Sequence, residues 1–248
     1  MKSTVQQIRE RFDNDVERFS NLETGQTATM DSALVLNLIA ETAAKTNPAA
    51  RSILDVGCGA GNYTLKVLER LAAANPGGTR SINCTLIDLS RPMLDRAVER
   101  IKPQTTGTLR TLQGDMRELD LGEKTFDIIV TASTLHHLRT DDQWEAMYHK
   151  MFTALRPRGS LWVFDMIEHD HPALEKMMRA RYGDYLYHLK GGGEAGTVYR
   201  EKVFAYIAEE DTPRSLGYQL ALLQKSGFSN IEVLHKSVMG AAFGGIRT

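Results

Sequence analysis

Three carboxylates and one glycine turn carry most of the chemistry that this chain displays as a sequence. Asp55 stands at the head of a turn in LDVGCGAGNYT, Asp88 ends the apolar run CTLID, and Asp115 follows a glycine in QGDMREL. Gly57, Gly59 and Gly61 let a backbone approach a ligand closely or adopt conformations closed to other residues. Taken alone, the turn suits a pyrophosphate cradle, a nucleoside pocket or a tight bend. The dinucleotide fingerprint G-x-G-x-x-G puts its third glycine one position further on, where Asn62 stands here. A carboxylate at Asp55 would also repel a pyrophosphate. The stretch therefore favours a nucleoside that carries positive charge.

Other residues have the right types for catalysis or binding. His136 and His137 follow an apolar run in FDIIVTASTLHHL, and His137 is the candidate general base; the pair equally suits a helix entry with one ring buried. Cys58 reads as a small buried hydrophobe, because no neighbour promises a thiolate. Glu168-His169-Asp170-His171 has metal-ligand types but the setting of a solvated loop, so no metal is assigned. Tyr199, Arg200, Tyr206 and Arg214 lie in a later segment suited to a substrate pocket, and Tyr199 and Arg200 are its leading candidates.

The elements that must position these groups follow from periodicity. Val5, Ile8, Phe12, Val16 and Phe19 recur at helical spacing, Ser20 to Gln26 breaks the pattern, and a second helix begins after Asp31 as N-cap. Short apolar runs at Ser52 to Val56, Cys84 to Asp88, Leu109 to Gln113, Phe126 to Thr131 and Leu161 to Met166 predict buried strands. Helical patterns lie between them: one capped by Ser90, another opened by a Thr140 to Gln143 capping box and running inward through Leu155. This alternation predicts an α/β, Rossmann-like, doubly wound and mainly parallel sheet. A helix from Leu174 to Tyr185 ends before Gly191-Gly192-Gly193, which reads as a movable break. Thr212 with Pro213 starts the last helix, Gly227 stops it, and Ile231 to His235 with Ala241 to Ile246 form an antiparallel C-terminal hairpin.

The 248 residues suffice for one core, divided as a helical N-terminal cover at 1–46, a binding core at 47–166, a substrate-side insertion at 167–212 and a final helix and strands at 213–248. A net charge of −1 gives no support to a sequence-independent grip on nucleic acid. Only Cys58 and Cys84 are present, no run approaches the ~20 apolar residues of a membrane span, and the first residues are charged throughout. A cytoplasmic protein without a membrane segment is expected, with its oligomeric state open, a homodimer included.

As a set, these motifs resemble class I S-adenosylmethionine-dependent methyltransferases. ILDVGCGAGNYT is similar to the first motif of that family, CTLIDLS to the second-strand acid, QGDMREL to the adenine acid, FDIIVTASTLHHL to the fourth strand, and ALRPRGSLWVFD to the turn into the fifth. Arg158 stands where the family's turn has a glycine. The resemblance implies S-adenosyl-L-methionine as cofactor and a small-molecule acceptor. It implies Asp55, Gly57, Cys58, Gly59 and Gly61 around the amino-acid end, with Thr131 nearby. It also implies Asp88 on the ribose hydroxyls, Leu89, Met93 and Met116 around adenine, and Asp115 on the adenine amino group. An acceptor-only carboxylate facing two hydroxyls gains about 1.5–3 kcal/mol from the charge-assisted bond. The N-terminal helix, KSGF and AAFGGIR resemble the subgroup that includes carboxy-S-adenosylmethionine synthases of tRNA wobble-uridine modification, which implies Arg200 for an extra carboxylate on the cofactor.

Overall fold

A computed structural model describes residues 2–21, 27–74 and 81–248. Seven strands form one sheet in the order β3-β2-β1-β4-β5-β7-β6. They are β1 Ser52–Val56, β2 Asn83–Asp88, β3 Leu109–Gln113, β4 Phe126–Ala132, β5 Leu155–Met166, β6 Phe228–Lys236 and β7 Gly240–Arg247. The first five pair in parallel, and β7 runs antiparallel to both β5 and β6. The expected doubly wound sheet with a C-terminal hairpin is therefore present.

Adjacent residues of β1 point to opposite faces, as the period of two requires. Ile53 packs with α3 (Ser32–Thr46), α4 (Asn62–Ala73) and α5 (Arg91–Ile101), whereas Leu54 packs with α6 (Asp141–Ala154) and α9 (Leu216–Ser226). A third apolar cluster lies outside this sandwich. It joins Tyr182 and Leu186 of α7 (Pro172–Leu189), Ile207 of α8 (Gly193–Glu210), and Met239 before β7. With α1 (Val5–Asn14) and α2 (Val16–Ser20), these two helices cover the carboxyl ends of the strands. Because β1 has β2 on one side and β4 on the other, those ends open at the switch point where such sheets bind ligands.

Several local expectations change. The first helix breaks at Asp15, and the helix after Asp31 begins without a side-chain cap because Asp31 is left-handed at φ 59°. Thr140 caps α6 through the Gln143 N–H, but the Gln143 side chain accepts from Arg139 rather than closing the box. The helix ends at Ala154, so Leu155 opens β5 six residues before Leu161. Ser215, not Thr212, caps α9 by accepting from the Tyr218 N–H at 3.2 Å. Gly191 to Gly193 form a tight left-handed turn that feeds α8 directly; the mixed polar and apolar run of that helix hid its period. Part of the expected break at Ser20 to Gln26, residues 22–26, lies outside the described residues.

Candidate functional site

The glycine turn links β1 to α4. Gly57, Gly59 and Gly61 all have positive φ, but each answers a different need. A Cβ on Gly57 would lie 2.1 Å from Thr134 Oγ1, and one on Gly61 2.8 Å from Ile101 Cδ1, so both permit close packing. A Cβ on Gly59 would meet no described atom within 4 Å, so that side of its backbone faces open space, as a ligand cradle requires. Gly61 is therefore placed as a packing residue that opens α4, while Gly57, Cys58 and Gly59 line a cavity of about 100 Å³ together with Asp55 and Met93.

Asp55 is 2% exposed, and its Oδ2 accepts from Thr64 Oγ1 at 2.7 Å and from the Thr64 N–H at 3.3 Å. Burial raises its pKa to about 7 against those hydrogen bonds. The carboxylate thus holds the first turn of α4 while lining the cavity, and a cation arriving there would favour its charged form. Burial also pushes the Cys58 thiol well up, which leaves it inert. Thr131 donates to the Val56 carbonyl at 2.9 Å and lines neither this cavity nor the two described below, so it ties β4 to β1.

Asp88 lies between that cavity and a second one of about 220 Å³. Its carboxylate accepts from the Gly59 N–H at 2.8 Å and from the Ser90 N–H at 2.9 Å. Burial raises its pKa to about 6 despite these donors. Each oxygen keeps a lone pair for a hydroxyl. The second cavity runs past Ile87, Leu89, Asp115 and Met116, apolar walls with one acid, which fit an adenine ring. Asp115 is bridged by Arg117, with Arg117 Nε at 2.9 and 3.0 Å from its two oxygens; this partner outweighs burial and holds the carboxyl below its usual range. Ser3, Thr4, Val5 and Ile8 close the same cavity from above.

A third cavity of about 520 Å³ lies beneath α1, α2, α7 and α8. Phe12, Phe19, Phe164, Tyr182, Tyr199 and Tyr206 supply rings, and Arg11, Arg18 and Lys202 supply cations. Arg200 is not among its walls: its guanidinium lies 5.9 Å from the Tyr187 ring centre, and its Cδ packs near Gly183 between α7 and α8. Arg214 pairs with Asp141 at 2.8 Å, also away from the cavity. Among the described residues, His137 alone belongs to the walls of all three cavities. Its side chain is 12% exposed, and its buried Nε2 has no hydrogen-bond partner among the described residues. Burial, then the charges of His136, Arg11 and Arg139, push its pKa well below that of a free imidazole, so it stands neutral.

Beside it lies a set of groups that the sequence did not bring together. His136 Nδ1 bonds Asp165 Oδ1, while Asp165 Oδ2 accepts the Leu135 N–H at 2.6 Å and the Thr134 N–H at 3.2 Å. His136 Nε2 and His137 Nδ1 each lie 3.5 Å from Asp211 Oδ1. Burial opposes a charge on His136, but Asp165 and Asp211 prevail and raise its pKa to about 9. Asp165 had a signal, as the acid that ends β5 in WVFD. Asp211 had none, since it follows two glutamates in a polar run. The run that looked like metal ligands is dispersed: His169 pairs with Glu175 at 3.1 Å, and His171 accepts from the Ala173 N–H to cap α7.

Comparison with known proteins bears on the family and the fold. A family model described as a methyltransferase domain matches residues 53–159. Carboxy-S-adenosyl-L-methionine synthase from Helicobacter hepaticus is 30% identical over 82% of this chain and 81% of its own length. The synthase from Helicobacter pylori strain Shi470 is 28% identical over 75% of this chain and 71% of its own. Among solved structures, a putative O-methyltransferase from Nostoc punctiforme superposes with a TM-score of 0.58 at 19% identity, over 90% of this chain and 59% of that one. Human N-acetylserotonin methyltransferase, solved with S-adenosylmethionine, gives 0.53 at 15% identity over 89% and 53%. The chain thus spans little more than half the length of either structure, and the likeness concerns the fold.

Proposed function

This chain belongs to the class I S-adenosylmethionine-dependent methyltransferase family, and on that footing we propose that it transfers a methyl group to a small-molecule acceptor held in the third cavity. S-adenosylmethionine is its cofactor and supplies a methyl carbon already activated by the sulfonium. The Gly59 backbone, the Asp88 lone pairs and the walls around Asp115 fit its amino-acid, ribose and adenine parts in turn. Asp55 and Met93 complete the wall at the amino-acid end.

The protein's own task is alignment, which supplies about 7–11 kcal/mol when reacting atoms are held in contact. The observation that carries the reading is the position of His137, largely enclosed, neutral and shared by the cofactor and acceptor cavities. Its free Nε2 accepts the acceptor's proton. Tyr199 contributes to the acceptor wall. Mass spectrometry of the protein as purified tests the assignment: S-adenosylmethionine or S-adenosylhomocysteine is expected, and retention of a nicotinamide dinucleotide instead would refute it.

The name shared by the Helicobacter relatives favours one second reading, formation of carboxy-S-adenosylmethionine. Arg200 is turned away from the cavity, so an extra carboxylate would have to meet Arg11, Arg18 or Lys202. A bound cofactor heavier by one carboxylate in the same mass spectrum selects this reading over ordinary methyl transfer.

A further inference from the structure

Asp211 is the least explained group in the molecule. Its side chain is fully buried at the wall of the acceptor cavity, yet neither carboxylate oxygen has a hydrogen-bond partner among the described residues. Leaving a buried charged acceptor unsatisfied is costly, so a group held this way needs a reason. The chain fixes it deliberately: the Thr212 N–H donates to the His136 carbonyl at 2.7 Å, Lys2 donates to the Asp211 carbonyl, and Arg139 reaches the Glu210 carbonyl and Thr212 Oγ1. These bonds pin the end of α8 against the histidine turn.

Two acceptors then flank one nitrogen of His137. Nδ1 lies 3.4 Å from the Glu210 carbonyl and 3.5 Å from Asp211 Oδ1, whereas Nε2 is buried with no hydrogen-bond partner among the described residues. We propose that Asp211 is a positioning residue for His137: it keeps the proton on Nδ1, leaves Nε2 as the base, and steadies the imidazolium formed when the acceptor is methylated. The inference rests on the methyltransferase reading and deepens it, because it specifies an acceptor that arrives protonated, a hydroxyl or an ammonium group rather than a thiolate. For a hydroxyl, the O–H proton passes to Nε2 and the oxygen pair becomes the new O–C bond. The pair of the broken C–S bond stays on sulfur, and the sulfonium charge ends on His137, beside Asp211.

The other charges facing His137 come from three places: Arg11 on α1, Arg139 after the histidine turn, and His136 within it. Those three are cationic, and of the acids close by Glu210 pairs with Arg11 and Asp165 with His136, which leaves Asp211 as the carboxylate without a hydrogen bond beside this ring. The same groups argue against a metal ion. His136, His137 and Asp211 bring ligand-type atoms within 4.8 Å of one another, but with Lys2 also near Asp211 a dication would enter a ring of positive charge.

Nuclear magnetic resonance of the histidine side chains tests this on the full chain saturated with S-adenosylhomocysteine. In the wild type, long-range nitrogen–proton correlations should show His137 neutral with its proton on Nδ1; a proton on Nε2 overturns the proposal without any variant. In Asp211→Asn the pKa of His137 should fall by about one unit, the scale expected for losing an opposite charge at this range. Asp211→Glu should restore it. An unchanged value in a folded Asp211→Asn protein overturns the proposal, as would tight one-to-one binding of cobalt(II) that shifts both histidine rings and is lost in that variant. Failure of the wild type to bind S-adenosylhomocysteine would instead strike the methyltransferase reading itself.

Discussion

The two halves of the site are assembled in different ways. The proposed cofactor side is drawn from strand ends that follow one another along the chain, and its acids are held by backbone or by near neighbours in sequence: Asp88 by the Gly59 and Ser90 amides, Asp55 by the Thr64 hydroxyl and amide, Asp115 by Arg117. The acceptor side joins segments far apart in sequence, α1 and α2 against α7 and α8, and is fixed mainly by side chains. Tyr182 and Tyr185 donate to the carbonyls of Ala28 and Thr27, and Arg11 stacks on Tyr206. Parallel strands closed on both faces impose their geometry on whatever follows them, whereas a helical cover must be held by contacts of its own. The expected consequence is a stiff donor half carrying stored electrostatic cost and a softer acceptor half.

That cost gives the largest predicted effect. Asp55 has a folded pKa raised from 3.8 to about 7, and Asp88 to about 6, with burial as the main cause. For an acid whose folded pKa is raised, the contribution to stability is full below pH 3.8 and is lost as pH climbs through the folded value. Three units at Asp55 correspond to something on the order of 4 kcal/mol. In Asp55→Asn, which still offers Thr64 an acceptor, the ligand-free protein should lose less stability between pH 4 and 7 than the wild type does. Denaturant titrations at several pH values measure this, and parallel curves for the two proteins would break the contrast.

Next in size is the proposed ribose contact. Asp88→Ala removes a charge-assisted acceptor worth about 1.5–3 kcal/mol, so S-adenosylhomocysteine should bind roughly 10 to 100 times more weakly by calorimetry. An equal affinity would remove Asp88 from the donor side. On the acceptor side, Tyr182→Phe deletes one hydrogen bond, 3.0 Å long, to the Ala28 carbonyl. The expectation is a loss of about 1 kcal/mol and faster hydrogen exchange in α7 and α8, with cofactor affinity unchanged. If cofactor binding fell as well, the two halves would be one cooperative unit rather than two.

The same contrast decides how much of the molecule the sequence made legible. Gly57, Asp88 and Asp115 could be found because each sits at a strand end, and strands announce themselves by short apolar runs. Thr131 and Gly61 followed from the same motif but turn out to serve packing, which spacing alone does not separate from ligand contact. Tyr199 and Arg200 are neighbours on α8, and successive helical residues point about 100° apart; Tyr199 lines the cavity, whereas Arg200 turns toward Tyr187 and α7. Asp211 was invisible because its meaning depends on the Thr212 to His136 hydrogen bond, which spans 76 positions of chain.

The smallest effect concerns the one turn where the chain departs from the family's glycine. Arg158 has φ 67°, the left-handed region that costs an ordinary residue about 1–2 kcal/mol and costs glycine almost nothing. The Arg158 carbonyl accepts from Asn47 Nδ2 at 2.9 Å, which ties this irregular stretch within β5 to the end of α3 and helps the strained conformation persist. The stretch lies between the registered pairs Leu155 with Phe126 and Ser160 with Ile128, and none of residues 155–160 lines the three cavities. Arg158→Gly should therefore raise stability, but by less than the full strain, because glycine also loses more backbone freedom on folding. A net gain of about 0.5–1 kcal/mol, with Tm up by about 1–4 °C and S-adenosylhomocysteine affinity unmoved, is the expected outcome. A loss of stability would mean that contacts of the arginine side chain outweigh the strain, and that this end of the sheet, unlike the ligand end, is held by side chains rather than by backbone geometry.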